Sequence, residues 1–407
     1  KLVEAIYTNQ MPKYVKPFEE DVQGSNLIAL SRSKTGTDET FLTINTHQPL
    51  EGPTSWYEAH LVSEEGTNII GATFAGAPCI LTGANQYLGW THTVNYPDKA
   101  DVYELDMVSK NTYLIDGMEH ELVTKKAKVY VHFIGLKIPI KKKYYESIYG
   151  PTLKNKTAVF SVRTPSTTNI NALEQWWRMG KARSFSEFYK YLEWNALPGY
   201  NIGYADRNDT IFYISNGLIP KRAEGYNWRE VVPGNTKKTL WTNSYDLEDL
   251  PQVIQPTSGY FYNANHSPFF SSDEANNPSK EDFSADMNFE TYHNNRSTRL
   301  KNLIEAEDKF SYADFKRIKY DNQLPKPYVY SWMDINYLDL MDASKYPEIS
   351  ELIERVQQWD RKTDATSLGA GTYLILYHQL YPFYNALPVP KIIPTSVLVK
   401  AFKNAKA

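Results

Sequence analysis

Short apolar runs separated by turn residues fill the first half of the chain, and they predict β-strands. "NLIALS" and "TFLTINTH" flank a turn-rich loop, and "SWYEAHLV" and "TNIIGATF" continue the pattern. Such runs, bounded by turn signals, are typical of strands. "KVYVHFIGLKIPIKKKYYE" alternates strongly between apolar and polar positions, which predicts a long hairpin with one face in water. The first half is therefore expected to be rich in strands.

Helical patterns gather later in the chain. "SFSEFYKYLEW" begins with Ser184 and has Glu187 three residues on, the signature of a capping box. "NIGYADRNDTIFYISNG" predicts two more strands, and after Arg296 the helical runs are "RSTRLKNLIEAEDKF", "SYADFKRI", "EISELIERVQQWD" and "GTYLILYHQLYPFYNAL". Strands followed by gathered helices favour an α+β fold with segregated layers over alternating βαβ units.

Composition is that of a large folded protein. The 407 residues are 42% hydrophobic and 22% charged, enough for a packed core in one or two domains. A net charge of −3 gives no indication of a nucleic-acid or membrane-surface partner. Cys79 is the only cysteine, which excludes an intrachain disulfide and a CxxC site. The 31 tyrosines are spread along the chain, which favours a large core over a sugar-binding surface.

The sequence lacks the common catalytic signatures: there is no GxSxG, no glycine-rich phosphate loop and no HExxH. The triplet Gly24-Ser25-Asn26 before an apolar run is either an ordinary turn or the site of an unusual nucleophile. Cleavage before Ser25 would give that residue an α-amine with a pKa of about 7.7–8.0. Such an amine can accept the proton of its own hydroxyl, so that one residue supplies both nucleophile and base.

Six stretches resemble, in the same order, the motifs of a known family. They are "GSNLIALS", "INTHQPL", "GAPCILTGANQYLGWTHTVNYPDKADVYEL", "YNIGYADRNDTIFYISNGLIPKR", "LEDLPQVIQPTSGYFYNANHSP" and "NNRSTRLKNLIEA". On these motifs, from about Asp21 to about Phe315, the chain resembles the penicillin amidase-like N-terminal-nucleophile hydrolases. That family includes penicillin acylases and acyl-homoserine-lactone acylases.

The resemblance implies a fold, a reaction and partners. The expected fold is a four-layer αββα sandwich with additional helices in the C-terminal third. Residues 1–24 would be the spacer that ends the N-terminal part of a precursor, and residues 25–407 a β-subunit-like acylase domain, shortened at its C-terminus. The expected reaction is hydrolysis of a small N-acyl amide through an acyl-enzyme, in the bacterial periplasm or outside the cell. The N-terminal part of the precursor is the expected partner, with no nucleic acid, no membrane span and no organic cofactor.

Five residues match catalytic positions of the family. Ser25 would be the nucleophile, and the backbone N–H of Val94 and the side-chain amide of Asn265 would bind the oxyanion. Arg296 would hold Asn265 or the Ser25 amine in place, and His47 would orient the nucleophile. The sequence alone also permits a turn residue at Asn265, a helix-surface arginine at Arg296 and a structural histidine at His47.

Other matches concern the substrate pocket and a metal ion. Gln48, His92 and Tyr96 match acyl-pocket positions, and their polarity argues against a purely phenyl-selective pocket. Asp98 and Asp101 in "PDKAD" match positions that bind calcium in some relatives, and a solvated acidic turn is the other interpretation. Two rival functions stay open, an unprocessed amidase-like fragment with a binding role and an aromatic-rich protein that binds or processes carbohydrate.

Overall fold

The computed structural model of the chain describes residues 24–156, 158–167, 169–326, 341–386 and 393–406. Residues 1–23 of the predicted spacer lie outside these ranges. The strands are β1 Ser25–Leu30, β2 Phe41–Leu42, β3 Asn45–Thr46, β4 Trp56–Val62, β5 Asn68–Phe74, β6 Thr82–Asn85, β7 Leu88–Thr93, β8 Asp101–Glu104, β9 Thr112–Ile115, β10 Met118–Glu121, β11 Val123–Phe133, β12 Leu136–Ser147, β13 Gly150–Lys154, β14 Val159–Arg163, β15 Tyr200–Asp206, β16 Ile211–Asn216, β17 Val232–Pro233, β18 Gln252–Ile254 and β19 Tyr260–Asn263. The helices are α1 Arg32–Thr35, α2 Ala172–Lys181, α3 Phe185–Leu192, α4 Asn295–Glu305, α5 Tyr312–Lys319, α6 Ser350–Gln357, α7 Leu368–Ala386 and α8 Thr395–Lys406.

Two antiparallel sheets meet at β1. The larger has the order β18-β16-β15-β7-β6-β5-β4, and the smaller has the order β19-β1-β2, with β3 pairing the first residues of β1. In the smaller sheet, Ser25 pairs with Thr46 and Leu27 pairs with Asn263. Ser25 is therefore the first residue of a central strand, between partners that are distant in sequence.

Alternation along β1 divides its apolar side chains between two sides, which explains the unbroken "LIAL" run. Leu27 and Ala29 pack with Tyr213 and Phe261, between the two sheets. The intervening positions of β1 belong to a second cluster, together with side chains of β19, α4 and α5: Ile28, Leu30, Tyr262, Ile304 and Phe315. A third cluster packs α2 and α3 against the larger sheet, and its buried members include Trp90, Met179, Phe188, Tyr204 and Phe212. Strand β1 is thus buried on both faces.

A third sheet has the order β11-β12-β13-β14-β8-β17 and carries the predicted hairpin at its edge. Strands β11 and β12 pair over 11 residues, a ribbon about 35 Å long. The prediction of one wet face is wrong, because both faces are exposed. One face presents Val129 beside Ile140, and the other presents Lys128 beside Lys141.

The helix signals in the sequence are confirmed at their N-termini. Ser184 accepts a hydrogen bond from the Glu187 N–H, while Glu187 turns back to the N–H of Arg183 rather than to that of Ser184. Ser311 and Asp314 form a complete capping box at α5. Helix α8, which the sequence did not predict, packs with α6 and α7 around Ile353, Leu376 and Phe402. Within the described ranges, every helix is too short or too polar to cross a membrane.

Candidate active site

Ser25 lies at the centre of the candidate site. Ser25 is only 3% exposed, although it is the first residue of β1. The Ser25 Oγ donates to the carbonyl oxygen of Gly24 over 2.6 Å, and the backbone N–H of His47 donates to Oγ over 3.3 Å. The hydroxyl therefore lies against the peptide bond that precedes it, where an attack on that carbonyl would begin.

A side chain at Gly24 would crowd the side chains of Arg296 and His47. A Cβ at this position would lie 2.8 Å from Arg296 Nη2 and 3.3 Å from His47 Nδ1. The Gly24 carbonyl oxygen accepts a hydrogen bond from the His47 N–H over 3.1 Å. The glycine thus lets a guanidinium and an imidazole approach the backbone immediately before Ser25.

Asn265 joins Ser25 to Val94. Its Oδ1 accepts from the Ser25 backbone nitrogen over 2.6 Å, and its Nδ2 donates to the Val94 carbonyl over 2.8 Å. The backbone of Asn265 is left-handed, with φ of 61°, a conformation that asparagine tolerates better than most residues. Asn265 and Ser25 are 240 positions apart, so this contact depends entirely on the tertiary fold.

Arg296 donates to Asn265 Oδ1, the same oxygen that accepts from the Ser25 nitrogen. Its Nη2 donates to Asn265 Oδ1 over 2.8 Å, and its Nη1 donates to the Ser25 carbonyl and to Asn26 Oδ1, each over 2.6 Å. Burial lowers the pKa of Arg296, and the nearby Tyr96 opposes that shift. A cation in the first turn of α4 opposes the helix dipole. This arginine is therefore placed at a cost to its helix, and its hydrogen bonds go to Ser25, Asn26 and Asn265.

Several polar residues that support Asn265 were missed by the sequence analysis. Asn263 Oδ1 accepts from the Asn265 N–H over 2.9 Å and from Asn201 Nδ2 over 3.2 Å. Thr93 also donates to that oxygen, and Asn294, which caps α4, donates through Nδ2 to the Ala264 carbonyl over 2.8 Å. Asparagine pairs such as "NAN" and "NN" are ordinary turn signals in a sequence. Only the fold shows that they bond to the backbone around Asn265.

His47 contacts Ser25 through its backbone. Its ring is half-buried, and burial, with a further contribution from Arg296, lowers its pKa. The neutral imidazole is therefore favoured beside the guanidinium. The family resemblance predicts that His47 orients Ser25. In the structure, the backbone N–H of His47 donates a hydrogen bond to Ser25 Oγ.

The three predicted pocket residues do not lie together. Tyr96 is near Arg296, and its N–H donates to the buried Glu290. No hydrogen bond links Gln48 to Ser25 in the described part of the chain. His92 points to the helical side of β7, where Nε2 lies 2.9 Å from Trp176 Nε1 and 2.9 Å from the Leu81 carbonyl. The His92 ring is buried against Trp176, and burial lowers its pKa to about 4, so its place in an acyl pocket stays a prediction.

A cavity of about 590 Å³ opens beside β3. It is lined by Thr46, the strand partner of Ser25, and by apolar groups that include Trp56, Ile70 and Ala72. His60 and Glu58 contribute polar groups to the same lining. The cavity therefore begins one strand pair away from the candidate nucleophile and offers mostly apolar surface.

Asp98 and Asp101, the predicted calcium ligands, hold an arginine. Arg222 Nη2 lies 3.2 Å from Asp98 Oδ1, and Arg222 Nε lies 2.9 Å from Asp101 Oδ2. No cluster of three or more acidic, histidine or cysteine side chains suited to a metal occurs in the described part of the chain. A calcium ion does not fit between these carboxylates while the guanidinium is there, because two cations would share one set of oxygens.

Comparison with known proteins places the chain in a family. A family model described as Penicillin amidase matches residues 2–405, nearly the whole chain. The chain belongs to the penicillin amidase family. The described residues that surround Ser25 lie within that match.

Curated members of this family align with half of the chain. An acyl-homoserine lactone acylase, PvdQ, of Pseudomonas fluorescens is 27% identical over 209 residues, which cover 49% of this chain and 27% of the relative. A penicillin G acylase of Escherichia coli is 27% identical over 206 residues, covering 50% of this chain and 24% of the relative. The aligned part thus spans about a quarter of the length of these curated relatives.

A solved structure of the family shares the fold. A thermostable penicillin G acylase from Alcaligenes faecalis superposes with a TM-score of 0.66 at 17% identity. The superposition covers 94% of this chain and 78% of that chain. The mixed arrangement of sheets and helices is therefore that of a penicillin G acylase.

Proposed function

We propose that this penicillin amidase-family chain hydrolyses N-acyl amides through Ser25, after the peptide bond between Gly24 and Ser25 has been cut. The observation that carries the proposal is the bond between the Ser25 nitrogen and Asn265 Oδ1, at 2.6 Å. Arg296 donates to the same oxygen. The surrounding residues are thus arranged about the nitrogen of Ser25 as well as its hydroxyl, which a simple serine at a strand start would not require.

Maturation follows from the contacts of Gly24. The Ser25 Oγ would add to the Gly24 carbonyl carbon, and charge would develop on the carbonyl oxygen. The His47 N–H, which donates to that oxygen over 3.1 Å, would stabilise the charge. Water would carry the Oγ proton to the Ser25 nitrogen as the bond between the Gly24 carbonyl carbon and that nitrogen breaks, which leaves an ester between Gly24 and Oγ and an amine at Ser25. Water would then hydrolyse the ester, leaving a carboxylate on Gly24 and a free α-amine on Ser25.

Turnover would use that amine as the base. It would accept the Oγ proton as Oγ adds to the substrate carbonyl, and it would return the proton to the leaving amine. Asn265 Nδ2 and the Val94 N–H would bind the oxyanion, each worth about 3 kcal/mol of barrier. Water would then release the acid from the acyl-Ser25 ester by the same steps. Arg296, within contact of the Ser25 carbonyl, favours the neutral form of the amine.

The cavity beside Thr46 is the proposed acyl site. Its volume of about 590 Å³ and its apolar lining suit an acyl chain or an aryl-acetyl group. The names of the relatives indicate two such substrates, an acyl-homoserine lactone and penicillin G. The chain is therefore proposed to prefer substrates with an apolar acyl group. Tyr96, which lies near Arg296, does not line this cavity.

Four further expectations belong to this proposal. The three apolar clusters around β1 and the larger sheet support an αββα sandwich. Residues 25–407 would form the acylase domain, and residues 1–24 would end the N-terminal part of a precursor. That part would remain the partner of the mature domain. The protein would work in the bacterial periplasm or outside the cell, as an enzyme without an organic cofactor.

The deciding experiment compares cut and uncut protein. The full-length precursor is expressed, its subunits are identified by intact mass and N-terminal sequencing, and both forms are assayed on one chromogenic acyl amide. We expect a subunit that begins Ser25-Asn26-Leu27 and activity in that form alone, because an amide nitrogen cannot act as a base. Activity should rise with pH along a limb below the ordinary pKa of about 7.7, since burial and Arg296 both lower the amine pKa.

Equal rates from an uncut preparation would overturn the mechanism. A protein that stays uncut and inactive when expressed from its whole gene would instead favour the rival function, an amidase-like chain with a binding role.

A further inference from the structure

Arg222 is a completely buried cation in a cage of oxygen atoms. Its side chain is 0% exposed. Nε donates to Asp101 Oδ2 over 2.9 Å, Nη1 donates to the Asp286 carbonyl over 3.0 Å, and Nη2 donates to the Asp98 carbonyl over 3.2 Å. The same Nη2 lies 3.2 Å from Asp98 Oδ1. All three nitrogens of the guanidinium are therefore used.

The four oxygens come from different parts of the fold. Asp101 begins β8, Asp98 lies in the loop before it, and Asp286 is nearly 190 residues further along the chain. Two carboxylate and two carbonyl oxygens around one point are the ligand types that calcium selects in proteins. A cation at this point joins the loop of Asp98 to the turn of Asp286.

The cage needs a positive charge. The Asp101 side chain is completely buried and the Asp98 side chain is 18% exposed, and the Arg222 guanidinium lies against both carboxylates. Two desolvated carboxylates that repel each other are stable as anions only with a cation between them.

We propose that the guanidinium of Arg222 is a permanent internal cation that takes the place of a structural divalent metal ion in this cage. The chain therefore folds without calcium at this position, and removal of Arg222 turns the cage into a calcium site. Asp101 Oδ1 has no hydrogen-bond partner among the described residues, so it offers a further ligand once the guanidinium is gone. The proposal concerns folding and metal content, and it does not rest on the amidase activity.

The first test uses the unaltered protein. Purified protein is dialysed against EDTA, its calcium content is measured by mass spectrometry of the metal, and its thermal unfolding is followed with and without calcium chloride. We expect less than about one tenth of a calcium ion per chain and a melting temperature that EDTA and calcium leave unchanged within about 1 °C. One bound calcium per chain, or a melting temperature lowered by EDTA, would overturn the proposal.

The second test empties the cage with Arg222→Ala. The variant should melt about 10 °C lower, because a buried carboxylate pair loses its partner. Calcium chloride should restore much of the loss, and terbium should bind with emission sensitised by the tryptophans beside the cage. Trp241 Nε1 lies 2.6 Å from Asp101 Oδ2, and the Arg222 guanidinium lies 5.7 Å from the Trp228 ring.

Matched variants make the second test specific. Arg299→Ala breaks the 2.7 Å pair with Asp321 outside any such cage, and calcium should not restore its stability. Arg222→Lys keeps a cation in the cage, and calcium should not stabilise it. Rescue of all three variants to the same degree, or of none, would overturn the proposal. If Arg222→Ala does not fold, the lysine variant and the metal content of the unaltered protein still decide it.

Discussion

Arg296 and Asn265 are bonded to each other beside Ser25: Arg296 Nη2 donates to Asn265 Oδ1 over 2.8 Å. The same oxygen accepts from the Ser25 nitrogen, which leaves the amide nitrogen of Asn265 facing Val94. The arginine thereby fixes which end of the amide faces Ser25. An oxyanion donor gains most when its orientation is fixed before the substrate arrives.

Asn265→Ala is expected to fold and to turn over slowly, with kcat lowered about 10²–10³-fold. The substitution removes the amide that joins Ser25 to Val94. Steady-state kinetics of the cleaved enzyme on an acyl amide provide the measurement.

Because Asn265 has a φ of 61°, alanine also adds backbone strain of about 1 kcal/mol. Asn265→Gly relieves that strain and still lacks the amide, so it serves as the control. Loss of kcat in Asn265→Ala but not in Asn265→Gly would assign the effect to the backbone and remove the side chain from the mechanism.

Ser25→Ala should neither be cleaved nor hydrolyse amides, since Oγ is proposed to act in both reactions. Intact mass reports cleavage, and an acyl-amide assay reports activity. Ser33→Ala, which alters an exposed serine a few residues downstream, should be cleaved and active. Cleavage of the Ser25→Ala protein at the same bond would show that another group carries out maturation.

Gly24→Ala separates maturation from catalysis. The new Cβ would lie 2.8 Å from Arg296 Nη2, so the cleavage geometry should be disturbed and the rate of processing should fall at least about tenfold. Gly24 is absent from the catalytic subunit after cleavage, so the processed fraction should have an unchanged kcat. Time courses of precursor disappearance, followed by kinetics of the purified product, give both numbers. A reduced kcat in the mature product would contradict this division of roles.

His92 should make the protein less stable in mild acid. Burial lowers its pKa to about 4, from an ordinary value of about 6.5. Below about pH 6.5 His92 is protonated in the unfolded chain but stays neutral in the folded chain. The free energy of unfolding therefore decreases as the pH decreases, by about 3 kcal/mol near pH 4. Urea unfolding at pH 7.5 and pH 5 measures the slope.

His92→Gln should flatten that slope, and His132→Gln, on the exposed ribbon, should not. Equal slopes in the two variants would show that the acid sensitivity comes from elsewhere. His266, whose pKa burial lowers to about 3, contributes with the same sign and would leave part of the slope in place.

Local patterns predicted much of the fold. The "NLIALS" run gave a strand that starts at Ser25, and the Ser311 and Asp314 pair gave the correct start of α5. These features depend on neighbours in sequence, which is why a pattern can reveal them. The resemblance to family motifs added Asn265 and Arg296, whose contacts with Ser25 span 240 and 271 positions. No spacing rule would have joined them.

The contacts that the sequence did not reveal have a common cause, because each depends on a distant partner. His92 alternates to the side of Trp176, and that side could be assigned only with the helix in place. Asp98 and Asp101 matched a metal-binding pattern, but Arg222 comes from more than 120 residues further along the chain. A carboxylate pair in sequence does not reveal whether its counter-ion will be a metal or a side chain.

The exposed ribbon of β11 and β12 affects how the association of this protein depends on salt. Within the described sheet, β11 is an edge strand, and an edge strand with apolar side chains invites a second copy to pair with it. Lysines on β11 and β12, including Lys126 beside Lys143, would repel such a copy. At 1 M salt the range of that repulsion shrinks to about 3 Å. Concentrated salt should therefore drive the chains together through this ribbon, and purification at low ionic strength should keep them apart.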